Sequence, residues 1–201
     1  WVWASQVETK QRLKLYNKWM PHIHVDFHEQ GINEPYYFAP AAEPFHEVIS
    51  DWQRKFQLQI GKNHAKYFDR ESWLFFTRER FDLLYPSYGD TYPTFMGAIG
   101  MTYEQAGHGR AGLGIDNDEG TKLTLVDRVK HHTTTSLSTI EISSQNGKKL
   151  NEEFSQYFKN DQLKYKSYVL NGNIDHKKKL TNLLNLHDIK WGYSVNNSIS
   201  G

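Results

Sequence analysis

The clearest alternation of polar and apolar positions lies in PHIHVDFHEQG, residues 21–31. Polar side chains stand at every second position, and Ile23, Val25 and Phe27 lie between them. Side chains of a β-strand point alternately to its two faces, so this period of two predicts a strand over residues 22–28. One face would carry four potential metal ligands: His22, His24, Asp26 and His28.

Helical spacing predicts two helices in the first third of the chain. Residues 5–19 begin with Ser5 and Glu8 in the spacing of a capping box, and Pro21 follows their end. From residue 45 the apolar positions advance in steps of 4, 3, 4 and 4, which is typical of one buried helical face. The residues on this predicted face are Phe45, Ile49, Trp52, Phe56 and Ile60.

A third helix is predicted after residue 124, where Thr124 and Asp127 have N-cap spacing. We expect its buried face to consist of Val126, Val129, Leu137 and Ile140. His131 and His132 lie in the same helix, where adjacent positions point about 100° apart and cannot both face one metal ion. We therefore expect them to be packed or solvated helix residues. The helical pattern continues over residues 148–159.

The remaining pattern predicts short strands separated by long loops. Two loops rich in Gly, Pro and aromatic residues cover residues 31–44 and 80–100. Strands are predicted over residues 72–77, 97–104, 164–170 and 189–194, and a final helix is predicted over residues 176–187. Strands that alternate with helices indicate an α/β fold. We expect one α/β domain over residues 1–160 and the start of a second small α/β unit over residues 161–201.

Composition narrows the classes of partner and metal site. The chain has 201 residues with 24 Lys and Arg against 23 Asp and Glu, so no basic field indicates nucleic-acid binding. No apolar run is long enough to predict a membrane segment. Cysteine is absent, which excludes disulfides and thiolate zinc sites. Any metal ion must therefore be held by His, Asp, Glu or water.

His28 is the strongest ligand candidate on the predicted strand, because it ends the strand directly before Glu29-Gln30-Gly31. Ligands of open α/β sheets bind beyond the carboxyl ends of the strands. The zinc motif H-E-x-x-H is not formed, since position 32 is Ile. Glu104 ends a predicted strand in the same way, in GMTYEQAG. His108 follows it and could line the rim of a cleft.

Three segments together resemble one family. They are MPHIHVDFHEQGINEPYYFAP, ERFDLLYPSYGDTYPTFMGAIGMTYEQAG and the helix that begins near Thr124. They resemble zinc carboxypeptidases of the carboxypeptidase A type, the funnelins, and above all their large bacterial multidomain members. The resemblance runs from Trp1 to about residue 160. It implies the C-terminal portion of a three-layer α/β/α domain with a mixed sheet.

The resemblance also implies an activity: hydrolysis of C-terminal peptide bonds of a peptide or protein substrate by a zinc-activated water. The zinc of this family is held by two His and one Glu. By resemblance His28 is one of these ligands, Glu104 is the general base, and Tyr85 is the substrate-closing residue of a mobile loop. The extra domains of the similar proteins imply an exported or periplasmic parent.

The chain departs from the family pattern before Trp1. The family takes its other two ligands from an early H-x-x-E segment, and no such spacing occurs in this sequence. The family's Asn-Arg pair, which grips the substrate carboxylate, would fall immediately before Trp1. We therefore expect this chain to be an internal piece of a larger enzyme, with an incomplete zinc site and no activity alone.

Two alternatives stay open at the level of sequence. In the first, the chain is a non-catalytic module whose aromatic loops bind a peptide or a glycan. In the second, His22 and His24 form an amidohydrolase-like metal site together with Asp26. An H-x-x-E segment upstream would favour the enzyme over the binding module.

Overall fold

A computed structural model describes residues 1–159 and 164–193 as a mixed α/β protein. Its contacts group the chain into two compact units, Trp1–Met20 with Asn160–Gly201, and Pro21–Lys159. This division differs from the predicted domains 1–160 and 161–201, because the first helix belongs with the C-terminal segment. The helices are α1 (Val7–Trp19), α2 (Asp51–Arg70), α3 (Thr91–Phe95), α4 (Leu125–Gln145), α5 (Gly147–Tyr157) and α6 (Ile174–Leu186).

The unit Pro21–Lys159 is organised around a mixed four-stranded sheet of order β1-β6-β2-β4. Its strands β1 and β6 are parallel, β2 runs antiparallel to β6, and β4 is parallel to β2. Two smaller sheets pair β3 with β5 and β7 with β8. The strands are β1 (Ile23–Gln30), β2 (Tyr36–Tyr37), β3 (Ala42–Phe45), β4 (Phe75–Phe76), β5 (Asp82–Leu83), β6 (Ile99–Ala106), β7 (Gly114–Asp116) and β8 (Lys122–Thr124).

The strand predicted over residues 22–28 is confirmed as β1, and the one over residues 97–104 as β6. Seven of the eight residues of β6 are buried, since it lies between β1 and β2. The predicted strand over residues 72–77 is reduced to the two residues of β4. The predicted loop over residues 80–100 contains β5 and the short helix α3.

Helix α2 starts later than the spacing predicts. Phe45 ends β3, and the helix begins after Ser50, whose side chain forms a capping box with Gln53. Phe56 and Ile60 lie in the core as expected. The apolar spacing continues across the helix start because the preceding loop also packs inward.

The N-terminus of α4 is confirmed, since Thr124 and Asp127 form the predicted capping box. Its predicted buried face is wrong: Val126, Val129, Leu137 and Ile140 are exposed by 55% to 63%. The helix instead buries an opposite and largely polar face, made of Arg128, Thr135, Ser138, Thr139 and Ile142.

Hydrogen bonds explain why this polar face can be buried. Tyr103 of β6 joins His64 Nε2 at 2.8 Å and Thr139 Oγ1 at 2.7 Å through its hydroxyl group. His64 Nδ1 lies 2.7 Å from Ser138 Oγ. Burial lowers the pKa of His64 to about 3, so its neutral ring donates from one nitrogen and accepts at the other. Buried polar groups that are satisfied in this way cost little.

The other unit contains α1 and α6. The predicted capping box of Ser5 and Glu8 is wrong, because Gln6 is the N-cap and no side chain caps the helix. The helix predicted over residues 176–187 is confirmed as α6. The strand predicted over residues 164–170 is not formed. The one predicted over residues 189–194 is not formed at residues 189–193, and Ser194 lies outside the described residues. Within the described ranges no helix is both long and apolar enough to span a membrane.

Candidate functional site

The site is built where the carboxyl ends of β1 and β6 lie side by side. The strand register pairs His28 directly with Glu104, two residues before each strand ends. Residues paired in this way on parallel strands point to the same face, with backbones about 4.8 Å apart. The prediction that His28 and Glu104 lie on adjacent strands of one sheet is confirmed, although each strand continues for two residues beyond them.

Asp26 orients the His28 ring. It lies on the same face of β1, two residues earlier, and its Oδ2 atom is 2.9 Å from His28 Nε2. A carboxylate at one imidazole nitrogen fixes the ring and its tautomer. The contact with Asp26 uses Nε2, so Nδ1 is the nitrogen that the ring can offer to a metal ion.

Asp90 adds a second carboxylate on the β6 side. Its oxygens accept hydrogen bonds from Thr91 Oγ1 at 3.0 Å and from Thr102 Oγ1 at 2.9 Å. The residue is buried, and this burial raises the pKa of its carboxyl group, although the two hydroxyl donors oppose the rise. When it is ionised, Asp90 raises the pKa of both His28 and Glu104 through its charge.

The electrostatics separate the roles of His28 and Glu104. Burial raises the pKa of Glu104 to about 7, and the charges of Asp26 and Asp90 add to the rise while His28 opposes it. Partial burial lowers the pKa of His28, but the hydrogen bond to Asp26 and the nearby carboxylates outweigh it, so that the net pKa is raised. A carboxyl group that titrates near neutral pH is suited to accept and return a proton.

The loop that carries Tyr85 passes directly over Asp26. A side chain at Gly89 would place its Cβ only 1.6 Å from Asp26 Oδ2, so this close approach requires glycine. Tyr85 lies four residues earlier, and its ring meets that of Tyr88 edge-to-face at 5.3 Å. Both rings are substantially exposed. The role of Tyr85 toward a substrate stays a prediction.

His28 is the residue of this site to compare with a zinc ligand. His28 fits the chemistry of a zinc ligand, since a carboxylate holds its ring and one nitrogen points away from that contact. Across residues 1–159 and 164–193, no group of three or more His, Asp or Glu is arranged to hold a metal ion. A complete three-ligand zinc site would therefore need groups beyond those described.

The other histidines singled out in the sequence occupy different places. The His22 ring packs on Phe154 of α5, with ring centroids 4.2 Å apart. His131 Nδ1 lies 2.6 Å from Gln105 Oε1, and His132 Nδ1 lies 2.7 Å from the Tyr36 hydroxyl. The expectation that His131 and His132 are packed or solvated helix residues is confirmed, and both are packed. His108 is exposed in the turn after β6.

Sequence reasoning missed Asp26 as the partner of His28, and it missed Asp90 altogether. The signal for Asp26 was its position two residues before His28, which places both side chains on one face of a strand. Asp90 gave no comparable signal, since an Asp after a Gly is ordinary in a turn. Only the fold of the loop over residues 84–90 brings it to the site.

Comparisons of the chain with protein-family models, with curated proteins and with solved structures give no match. The geometry of the paired strand ends is therefore what supports a function.

Proposed function

We propose that this chain supplies part of the active site of a zinc-dependent, carboxypeptidase-like hydrolase that cleaves C-terminal peptide bonds. The observation that carries the proposal is the direct pairing of His28 with Glu104 at the carboxyl ends of two parallel strands. A metal ligand and a general base must stand on the same side of one cleft, and the proposal is supported by a register that directs both side chains to one face of the sheet.

Each residue has a role that its surroundings support. His28 would be one metal ligand through Nδ1, with Asp26 holding its ring at Nε2. A catalytic zinc, when bound, acidifies water and polarises a carbonyl group. Glu104, with its pKa raised to about 7, would take a proton from the attacking water and pass it to the leaving amine. Tyr85 would close over the substrate from the loop anchored at Gly89.

The proposal is tested in the longer protein that the family resemblance implies. Glu104→Gln should abolish peptidase turnover and leave zinc content nearly unchanged, because Gln keeps the shape but cannot accept the proton. His28→Ala should lower zinc content and turnover together. Full turnover in the Gln variant would remove Glu104 from the mechanism.

A companion test uses the 201-residue chain alone. We expect no stoichiometric zinc after dialysis and no cleavage of carboxypeptidase substrates with added zinc, since one imidazole leaves most of the coordination shell to exchangeable water. Elemental analysis and a peptidase assay measure both properties. Tight zinc with robust cleavage would show that other residues complete the site, and the role of His28 would have to be reassigned.

A binding module is the second candidate function. The exposed pair of Tyr85 and Tyr88 favours it, because aromatic rings accessible to solvent are suited to contact peptides or glycans. An upstream segment without H-x-x-E, together with saturable peptide binding that Tyr85→Ala weakens, would favour this candidate over the hydrolase.

A further inference from the structure

Glu29 follows His28 and points to the opposite face of β1, where it joins three segments of the chain. Its Oε2 atom accepts a hydrogen bond from the backbone N–H of Gly109 at 2.8 Å. Its Oε1 atom accepts one from Arg128 Nη1 of α4 at 3.1 Å. Both oxygens of one carboxylate are thus engaged, one by the turn after β6 and one by a helix.

Arg128 completes the connection from the helix side. Its Nη2 atom donates to the carbonyl oxygen of Gly112, at the end of the same turn. The guanidinium group therefore bridges Glu29 and the turn over residues 107–112. Its side chain is only 10% exposed, and a buried cation is strongly dependent on its anionic partner.

The turn itself is shaped for this contact. A Cβ at Gly107 would lie 2.7 Å from Glu29 Oε1, so any side chain there would push the carboxylate away from its present position. Gly109 has a φ of +65°, and Gly112 one of +52°, both in the left-handed region that favours glycine. The glycines of the turn, its backbone angles and the carboxylate of Glu29 all favour the same conformation of the turn.

We propose that Glu29 and Arg128 are positioning residues that lock the carboxyl ends of β1 and β6 together. The last backbone bond between these strand ends runs from Gly107 N–H to the Gln30 carbonyl oxygen at 3.2 Å. Glu29 extends this ladder through a side chain beyond the point where backbone pairing stops. The lock lies one residue from His28 and keeps its strand end in register with Glu104. The role of this lock in catalysis rests on the proposed function, whereas its effect on the position of the strand ends does not depend on it.

The test uses hydrogen exchange and NMR on the full chain without added metal. In Glu29→Gln one of the two acceptor oxygens becomes an NH2 group, which cannot accept a hydrogen bond. The side chain therefore loses either the bond from the Gly109 N–H or the bond from Arg128. We expect amides in residues 107–112 to exchange at least tenfold faster, on the order of the loss of one charge-assisted hydrogen bond. We also expect the imidazole signals of His28 in long-range ¹H–¹⁵N spectra to shift.

Three further variants separate positioning from general stability. Arg128→Lys keeps the charge but cannot bridge Glu29 and Gly112 with one ammonium group, so its exchange rate should be intermediate between wild type and Arg128→Met. It also serves as the readout if Glu29→Gln does not fold. Glu153→Gln, which removes the partly buried partner of Lys149 in another ion pair, is the matched control and should change neither signal.

Exchange in residues 107–112 that stays at the wild-type rate in the folded Glu29 and Arg128 variants would overturn the proposal. So would His28 signals that coincide with those of wild type in these variants. Zinc content that is unaffected by His28→Ala in the longer protein would instead overturn the proposed function, and it would leave the exchange result intact.

Discussion

Glu104 should weaken the fold at the pH at which it is proposed to work. The fold raises the pKa of this carboxyl group from 4.5 to about 7, chiefly through burial. In the unfolded chain Glu104 is not buried, so its carboxyl group ionises with the ordinary pKa of 4.5. Between these two values the folded protein holds a proton that the unfolded chain has lost, so stability falls as the pH rises through this window and is constant above it.

Glu104→Gln removes this loss, since Gln stays neutral at every pH. The difference between the two pKa values sets an upper bound of about 3.4 kcal/mol on the stability that ionisation of Glu104 costs, at 1.36 kcal/mol per pKa unit. Solvent reaches the cleft side of the strand ends and screens part of this effect, so we expect roughly 1–2 kcal/mol. Relative to wild type, the variant should gain that amount of stability between pH 4.5 and pH 8.

Urea denaturation of the metal-free chain at pH 4.5, 6, 7 and 8 measures this difference. Glu141→Gln is the matched control, because hydrogen bonds from Asn63 and Tyr67 lower the pKa of Glu141. The stability that Glu141 contributes is already present above its ordinary pKa, so the stability deficit of its Gln variant should stay nearly constant from pH 6 to pH 8. A stability difference for Glu104→Gln that is the same at all four pH values would refute the reasoning.

The remaining predictions concern packing, and urea denaturation at pH 7 measures each. Tyr103→Phe should cost about 1–3 kcal/mol, because it removes the hydroxyl group that bonds His64 at 2.8 Å and leaves a buried ring nitrogen without this partner. Gly100→Ala should cost roughly 1–3 kcal/mol, since its Cβ would lie 2.0 Å from the backbone oxygen of Asp90; a neutral result would show that the strand can move. Leu137→Ser should change stability by less than about 0.5 kcal/mol, because Leu137 is 62% exposed. A large loss would show that Leu137 is buried, as the apolar pattern predicts.

The parts of the fold that the sequence predicts are those with a local cause. Strand β1 follows from strict alternation, and the start of α4 follows from the spacing of Thr124 and Asp127. The pairing of His28 with Glu104 could be expected because both residues lie near the carboxyl ends of strands in an α/β pattern. In each case a few neighbouring residues carry the whole signal.

The face that α4 buries has no local cause. Apolar periodicity favours Val126, Val129, Leu137 and Ile140, yet the helix turns its polar side inward. That choice depends on partners that lie far away in the sequence, such as His64 for Ser138 and Tyr103 for Thr139. A hydrophobicity pattern cannot register a polar group that is buried because another polar group meets it. Asp90 was missed for the same reason.

Directional bonds also explain how the candidate site keeps its register. Near the start of β6, the amide of Gln53 in α2 donates to the Ala98 carbonyl oxygen and that of Gln57 to the Gly100 carbonyl oxygen, each at 2.8 Å. The Tyr103 hydroxyl group fixes the middle of the strand between α2 and α4.

Apolar packing alone tolerates small shifts of a strand, whereas a row of hydrogen bonds to particular atoms does not. A slip of β6 by one residue would place Tyr103 or Gln105 opposite His28 and turn Glu104 to the other face of the sheet. The buried polar contacts therefore do more than satisfy one another. They keep the carboxyl group of Glu104 beside His28, and the proposed chemistry depends on that pairing.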